Sequence, residues 1–580
     1  MINSRLAKIF FETAGFLDAR RVSFKPFAYR RAAMALEELE KDAADIYRAG
    51  GLKALEKIPG VGASIAKKIE EYILKGKIGY YEGLKRQLPV DLAQITSIQG
   101  VGPRRARVLY QKLGIKTVDD LEKAARRHKI ADLSGFGVKS EMGIIESIEF
   151  HKHSAGRFLL GGILPFAEEI RRRLEALEEV EKIDIAGSVR RKKETIGDLD
   201  FLAIVKPAPG AAKKVMDFFT AMPEVEKVWG KGATKSSVRI EDGFNMDLRV
   251  LEPESYGAAR QYFTGSKDHN ISLRRRAQEL GLKLSEYGLF CGGKAIAGRD
   301  EKDIYEKLGL RWIEPELREN TGEIEAAAAG KLPAIIGYGD LKGDLHCHSD
   351  WDGGHDSIGD IAAAAMKMGY QYVGIADHTK FLKIEKGLDE RALERRNKEI
   401  DKLNDLLEKE RGGFKILKGC EANIMADGSI DISDGSLSRL DFAIAGVHSN
   451  FKMDMKQMTK RIIRAMENKN IDIISHPTGR LINRRPEYQI DFEAICAAAE
   501  KTGTILEINS YPDRLDLNDL HIRRAKDYGV KMAINTDAHD LLHLRFAEFG
   551  IAQARRGWAE HEDIINTYAV QEVLNFLKKN

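Results

Sequence analysis

Two aspartates one residue apart, Asp198 and Asp200, sit in the stretch GSVRRKKETIGDLDFLAIV (187–205), at the mouth of an otherwise apolar run. Side chains on a strand alternate faces, so the pair points one way, roughly 7 Å apart along the chain. In FNMDLRV (244–250) the polar Asn245, Asp247 and Arg249 alternate with Phe244, Met246, Leu248 and Val250, so a neighbouring strand can add a third carboxylate. Three converging carboxylates repel one another unless divalent cations lie among them, and hard oxygen ligands favour Mg²⁺ shared with substrate phosphates. Gly187 and Ser188 make a tight turn whose amide and hydroxyl suit phosphate oxygens, with Arg190 and Arg191 supplying positive charge nearby. Two metals about 3.5–4 Å apart could activate an attacking hydroxyl and stabilise leaving pyrophosphate, so the reaction class is nucleotidyl transfer. A strand-edge Asp pair at a turn is the bland alternative; the Gly-Ser turn and Asp247 weigh against it.

A second set lies beyond residue 340, where ten of the fourteen histidines fall. Apolar strands alternating with amphipathic helices there read as an α/β domain with parallel strands. The strands end in His346 and His348, Asp377 and His378, Glu421, His448, His476, Glu507 and Asn509, and Asp537 and His539. Side chains at the C-terminal strand ends of such a barrel converge on one mouth. A mixed nitrogen and oxygen set suits zinc, manganese or iron, with more than one ion. A single His at a strand end is more often a satisfied polar residue than a ligand; so many in register are not.

The N-terminal part repeats itself. IPGVGASIAKKI (58–69) recurs as IQGVGPRRARVL (98–109), and LSGFGVKSEMGI (133–144) is a looser third copy. In each, a Gly-x-Gly turn precedes a helix: Gly60 and Gly62 in the first, Gly100 and Gly102 in the second. Glycines let backbone amides at the helix start approach a phosphate. Lys67 and Lys68, then Arg104, Arg105 and Arg107, add charge on the first turns. The copies resemble helix-hairpin-helix motifs, which grip the DNA backbone without reading sequence. Residues 1–150 carry 27 Lys+Arg against 19 Asp+Glu while the whole chain is only +4, so the basic end is the polyanion-facing one.

A chain of 580 residues with 43% apolar content can fill several cores, and no apolar run is long enough to span a bilayer. The start MINSRLAKIFFETAG has no export-signal pattern, so a cytoplasmic location is expected, and Cys291, Cys347, Cys420 and Cys496 read as reduced thiols. Helical patterns such as AYRRAAMALEEL (28–39) make the N-terminal end all α. Helix 167–179 then leads into strands at 182–187, 225–232, 235–242 and 244–253. The segment 316–333, rich in charge and alanine and ending in Pro, reads as a linker that is partly helical.

The motifs GSVRRKKETIGDLDFL, MDLRV, YFTGSKDHNISLR (262–274) and LSEYGLF (284–290) resemble the palm and thumb of X family DNA polymerases, the group of DNA polymerase beta, across roughly residues 1–315. By position the resemblance implies Asp198, Asp200 and Asp247 as Mg²⁺ ligands and Gly187, Ser188, Arg191 and Gly197 facing the incoming dNTP. Tyr262, Phe263 and Gly265 would crowd the sugar, and Asn270 and Arg274 would lie near the nascent pair. Lys68 matches the Schiff-base lysine that removes a 5′ deoxyribose phosphate, and Lys25 a 5′-phosphate contact. Ser64, Phe24, Asn245 and Ile163 depart from the family pattern. Residues 340–575 resemble the PHP (polymerase and histidinol phosphatase) domain, a distorted seven-stranded barrel with a trinuclear metal centre. There the resemblance implies His346, His348, His378, Glu421, His448, His476, Asp537 and His539 as ligands of Zn²⁺ or Mn²⁺. The ninth ligand is left between Asp352 and His355, because the acid after the first pair is shifted one place.

The expected layout is an N-terminal helix-hairpin-helix domain (1–85), fingers with the second hairpin (86–154), palm (155–256), thumb (257–315), linker (316–339) and PHP domain (340–580). The whole resembles the prokaryotic type of X family polymerase. It implies a monomeric, template-directed gap-filling repair enzyme for gapped or primed duplex DNA, with a PHP 3′-5′ exonuclease and abasic-site cleavage as a further activity. Three alternatives stay open: a degraded polymerase holding DNA for a nuclease, a template-independent nucleotidyltransferase, and a barrel acting as a small-molecule phosphatase or an inert scaffold.

Overall fold

The computed structural model describes residues 2–39, 41–58, 60–98, 101–138, 140–145, 148, 156–240, 243–410 and 413–577. Two compact units emerge: residues 1–155 with 483–486, and residues 156–482 with 487–580.

The first unit is helical. Helices Ala63–Lys75 and Pro103–Leu113 begin at Gly62 and Gly102 with the same extended cap and no side-chain cap bond, and both end on left-handed glycines, Gly76 and Gly114. Val61 N donates to Ile58 O and Val101 N to Ile98 O, each at 3.0 Å. In the third copy Phe136 N donates to Leu133 O (2.9 Å) and Glu141 N to Gly137 O (2.9 Å), so it is built alike. Gly100, expected to contact DNA, lies outside the described residues.

The second unit opens with a five-stranded sheet in the order Val180–Ile185, Asp198–Val205, Asn245–Val250, Lys235–Ile240, Val225–Lys231. The neighbouring strands Asp198–Val205 and Asn245–Val250 run parallel; the other pairs are antiparallel. Helix Leu160–Glu175 packs against it and starts two turns before the periodic signal, because Gly161, Gly162 and Pro165 hide the apolar stripe. Helices Tyr256–Thr264 and Lys267–Glu279 and a small antiparallel sheet follow.

Composition reads as a linker over 316–339, yet the segment is packed. Glu316, Arg318 and Glu323 are buried, and a short helix Glu323–Ala328 forms within it. Arg318 donates to Glu301 (2.6 Å) and to the Ile313 carbonyl, while Arg555 donates to Glu316 (2.9 Å). Charge that looks solvated in sequence is paired here.

Among the described residues beyond 340 every pairing of strands is parallel, in a three-stranded and a five-stranded sheet. The bridges Cys347↔Ala538 and His378↔Glu421 join the two sheets. Lys415–Lys418 and Glu421–Asn423 are two halves of one strand broken at Gly419 and Cys420, so seven strands close a distorted barrel. Gly374 and Gly419 leave room for the Phe442 ring in its wall, which a Cβ at either would strike. Among the described residues no helix is long and apolar enough to cross a membrane.

Candidate active sites

The palm site is set by strand register. Asp200 lies opposite Asp247 and Asp198 opposite Asn245 on the two parallel strands. Burial, then the charges of Asp198 and Asp247, push the Asp200 carboxyl up to about 7, the repulsion that a cation would relieve. Asp247 Oδ2 faces Lys235 Nζ (2.9 Å) and Arg249 (3.5 Å), and its side chain is 27% exposed against 6% for Asp537 and 1% for Glu421, so this site is more open than the barrel's. Gly187 has φ +63°, and a Cβ there would stand 2.7 Å from Asp200 Oδ2. The Gly187 turn thus passes directly over the carboxylate, and Ser188 follows it.

Not every residue read into this site faces it. Arg190 is largely covered, forking onto Glu301 (2.9 and 2.7 Å) and onto Thr264 Oγ1 (2.6 Å), so its charge is paired within the fold. Arg191 donates to Glu319 (2.9 Å) and to the Thr264 carbonyl. Gly197 sits beside Arg157. Tyr262 and Phe263 meet edge to face at 5.1 Å, with Arg249 over the Phe263 ring and Gly265 beside Arg191. Asn270 is buried, donating to the Tyr262 carbonyl and accepting from Gln261 (both 2.7 Å); it staples the YFTG helix from behind. Arg274 is half-buried on the same helix.

In the barrel Glu421 is central. Its Oε2 lies 2.9, 3.5 and 3.9 Å from Nε2 of His378, His346 and His348, and its Oε1 3.1 and 3.3 Å from Nε2 of His476 and His448. Asp537 Oδ1 lies 3.3 Å from His348, and 3.7 Å from both His346 and His539. Burial alone would neutralise both carboxyls; the facing imidazoles hold them well below the ordinary range. Outer partners set the rings: Nδ1 of His346 is 2.7 Å from Glu507 and Nδ1 of His448 is 2.7 Å from Asn423. Asp352 Oδ2 braces Nδ1 of both His348 and His378 at 2.8 Å, whereas His355 is half-exposed beside Asp540. Nδ1 outward and Nε2 inward is the pose that metal-binding imidazoles take.

The residues fit a metal centre. Nε2 of His346 and of His348 are buried without a hydrogen-bond partner, and an orphaned acceptor beside carboxylates is where a cation belongs. The His348/His378/His539, His346/His348/Asp537, His378/Glu421/His448 and His348/Asp352/Asp377 groups each bring ligand atoms within 4.8 Å of one another. Among the described residues, groups of this closeness occur in the barrel and not in the palm. The bracing residues Asn423 and Ser475, the latter donating to Glu421 at 2.7 Å, carried no sequence signal beyond following strand ends.

In the helical unit Lys68 Nζ donates to Ser64 (3.0 and 3.1 Å) and lies near the Tyr29 and Tyr80 rings, in a cleft with Lys67 and Glu71. Its pKa is lowered by burial and then by Lys25. Lys25, Gly62, Gly102 and Arg104 are exposed, and Gly60 turns at φ +76° beside Arg31. Arg105 is drawn to the third hairpin, donating to Gly135 O (2.8 Å) over the Phe136 ring.

Family models match in four places: a helix-hairpin-helix domain over residues 1–78, a SAM-like helix-hairpin-helix tandem over 92–149, a DNA polymerase beta thumb over 259–319 and a PHP domain over 344–511. A probable phosphatase of Thermoanaerobacter sp. (strain X514) is 33% identical over 177 residues, 29% of this chain and 69% of its own length. That match falls within one part of the molecule. The DNA polymerase/3′-5′ exonuclease PolX of Bacillus subtilis (strain 168) is 37% identical over 562 residues, covering 96% of each chain. Similarity running from end to end, through hairpins, thumb and barrel alike, settles the family: the chain belongs to the X family DNA polymerases that carry a C-terminal PHP domain.

Proposed function

We propose that the chain fills short gaps in duplex DNA under template direction and shortens 3′ ends with its PHP barrel, as a repair enzyme of the base-excision type. One observation carries the reading: a phosphate-binding turn over a register-matched Asp200/Asp247 pair shares the chain with a barrel of imidazoles around Glu421. Asp198, Asp200 and Asp247 would hold Mg²⁺; Gly187, Ser188, Gly197 and Arg191 would receive the dNTP, the last by exchanging Glu319 for a phosphate. His346, His348, His378, Glu421, His448, His476, Asp537 and His539 would hold Zn²⁺ or Mn²⁺, three ions in all, with Asp352 as orienting brace. When bound, the cations supply the positive charge that acidifies an attacking hydroxyl or water and offsets charge on the departing oxygen. The hairpin amides and Arg104 hold DNA by its backbone, in a cytoplasmic monomer.

The test is one gapped, 3′-labelled duplex incubated with Mn²⁺, with and without dNTPs. Asp198→Ala should abolish extension alone and His346→Ala shortening alone. Loss of neither activity, or of both together in either variant, would overturn the assignment.

A second activity, removal of a 5′ deoxyribose phosphate, is favoured by the lowered pKa of Lys68 in its cleft. Borohydride should trap wild type on incised abasic DNA and leave Lys68→Ala uncoupled; equal trapping of both would refute it.

A further inference from the structure

Between the phosphate-binding turn and Asp198 the palm chain makes an excursion over residues 191–197. Three successive side chains on it reach the PHP domain. Lys192 pairs with Glu548, Lys193 Nζ lies 3.9 Å from Asp519, and Glu194 Oε2 receives Arg480 Nη2 at 2.7 Å. Gln553 donates to the same oxygen of Glu194 (3.3 Å), and Arg480 also donates to the Leu515 carbonyl. The pair is partly shielded: Arg480 is 8% exposed and the Glu194 side chain 25%, and Glu194 stays ionised because the guanidinium faces it. Beneath it the two domains share one core. Ile482, Leu515 and Phe549 of the barrel are buried in the same cluster as Leu199 and Phe244 of the palm. At Gly161 a Cβ would strike Pro512 at 2.5 Å, so the surfaces meet at backbone distance.

The loop so held is the one that carries the polymerase chemistry. Its first residue, Arg191, is anchored to Glu319 (2.9 Å), on a segment itself fixed to the barrel through Glu316 and Arg555 (2.9 Å). The Glu194 carbonyl accepts from Leu160 N (3.0 Å), and Thr195 and Ile196 pair with Leu159 and Phe158, which leads straight to Asp198. Moving Glu194 therefore moves both ends of the nucleotide pocket. A buried ion pair adds little net stability, but removing one partner strands the other charge, so the loop would be expelled toward water.

We propose that Arg480, a PHP-domain residue, is a positioning residue of the polymerase: by holding Glu194 it fixes loop 191–197 and with it Ser188, Arg191 and Asp198 for an incoming nucleoside triphosphate. The proposal rests on the polymerase reading above. It makes the barrel a structural part of the synthetic site as well as a second active site.

The test uses the full chain as wild type, Arg480→Ala, Arg480→Lys and the charge swap Glu194→Arg/Arg480→Glu. Steady-state dNTP kinetics on a one-nucleotide gap, shortening of a 3′-labelled single strand, and melting temperature are measured on each. For Arg480→Ala the dNTP KM should rise on the order of tenfold and kcat should fall as well, because Asp198 moves with the loop, while shortening stays within about twofold of wild type. Arg480→Lys should fall between, and the swap should recover part of the loss. An unchanged KM in folded Arg480→Ala overturns the proposal. So does a parallel fall of both activities and of the melting temperature that Arg480→Lys does not relieve. Wild type is the separate control for the underlying reading; if it fails to extend a primer, that reading falls, and the proposal with it.

Discussion

Gly187 does two things that no other residue type can do together: it turns at φ +63° and leaves the space that Asp200 Oδ2 occupies, 2.7 Å from where a Cβ would stand. Gly187→Ala should cost about 1–3 kcal/mol of local strain, and the carboxylate must shift to admit the methyl. A displacement of about 1 Å at a reacting centre costs on the order of 100-fold in rate, so single-turnover extension should fall by that factor while 3′ shortening persists. Extension at the wild-type rate would show that the turn does not overlie the site. In the barrel, Asp352→Asn keeps the volume but weakens the brace on His348 and His378; metal affinity should drop about 10–100-fold, read as Mn²⁺ content after equilibrium dialysis. Residues of this kind were partly legible in the sequence. Strand alternation alone put Asp198 and Asp200 on one face and offered Asp247, and parallel register brought Asp247 beside Asp200. Arg190 was misleading, since its carboxylate partner Glu301 is 111 residues away and nothing local signals it. Asn270 was legible only by resemblance: its bonds to Gln261 and Tyr262 hold it to the preceding helix and leave one amide hydrogen for a further partner.

Elements were more legible than contacts. The repeat at 58–69 and 98–109 appears as two helices with matching caps, and the third copy keeps the same turn hydrogen bonds. Their exposed helix starts predict how DNA is held. Lys67 and Arg104 point to solvent from the first turns of these helices, so each should neutralise a phosphate and release a counterion. Replacing both with Ala should weaken binding alike for all sequences and lower the slope of log K against log salt by about 1–2, measured by fluorescence anisotropy over a salt series. A sequence-selective loss would contradict backbone gripping. Strand ends in the barrel were legible because each apolar run stops on a His or carboxylate. Two elements were hidden: the first turns of Leu160–Glu175 by glycine and proline, and the packed state of 316–339 by a composition that only long-range pairing makes compatible with burial.

At the scale of the molecule the second unit is held together by ionised carboxylates that are buried or partly buried against guanidinium groups. Glu301 is 4% exposed between Arg190 and Arg318, Glu316 faces Arg555, and Glu194 faces Arg480. Burial opposes each charge, yet the guanidinium partners hold all three carboxyls below the ordinary glutamate value of 4.5. A carboxyl depressed in the folded state contributes stability that is complete above its unfolded pKa and is lost as pH falls toward the folded one, because unfolding then takes up protons. The window lies below 4.5, the ordinary value from which these groups descend. The contribution of these three carboxyls to the melting temperature should therefore be flat near neutrality and fall as pH drops below about 4.5. Glu301→Gln isolates the largest contributor. It leaves Arg318, wholly buried, and Arg190 facing a neutral amide, so at pH 7 it should cost about 3–5 kcal/mol. The acid slope should also flatten, by up to about 1.4 kcal/mol per pH unit for the proton no longer taken up. Thermal melts of both proteins across pH 3.5–7 decide it. A variant as stable as wild type at neutral pH, or one with an identical acid slope, would mean that the Arg190–Glu301–Arg318 contact adds nothing to the joining of palm and thumb.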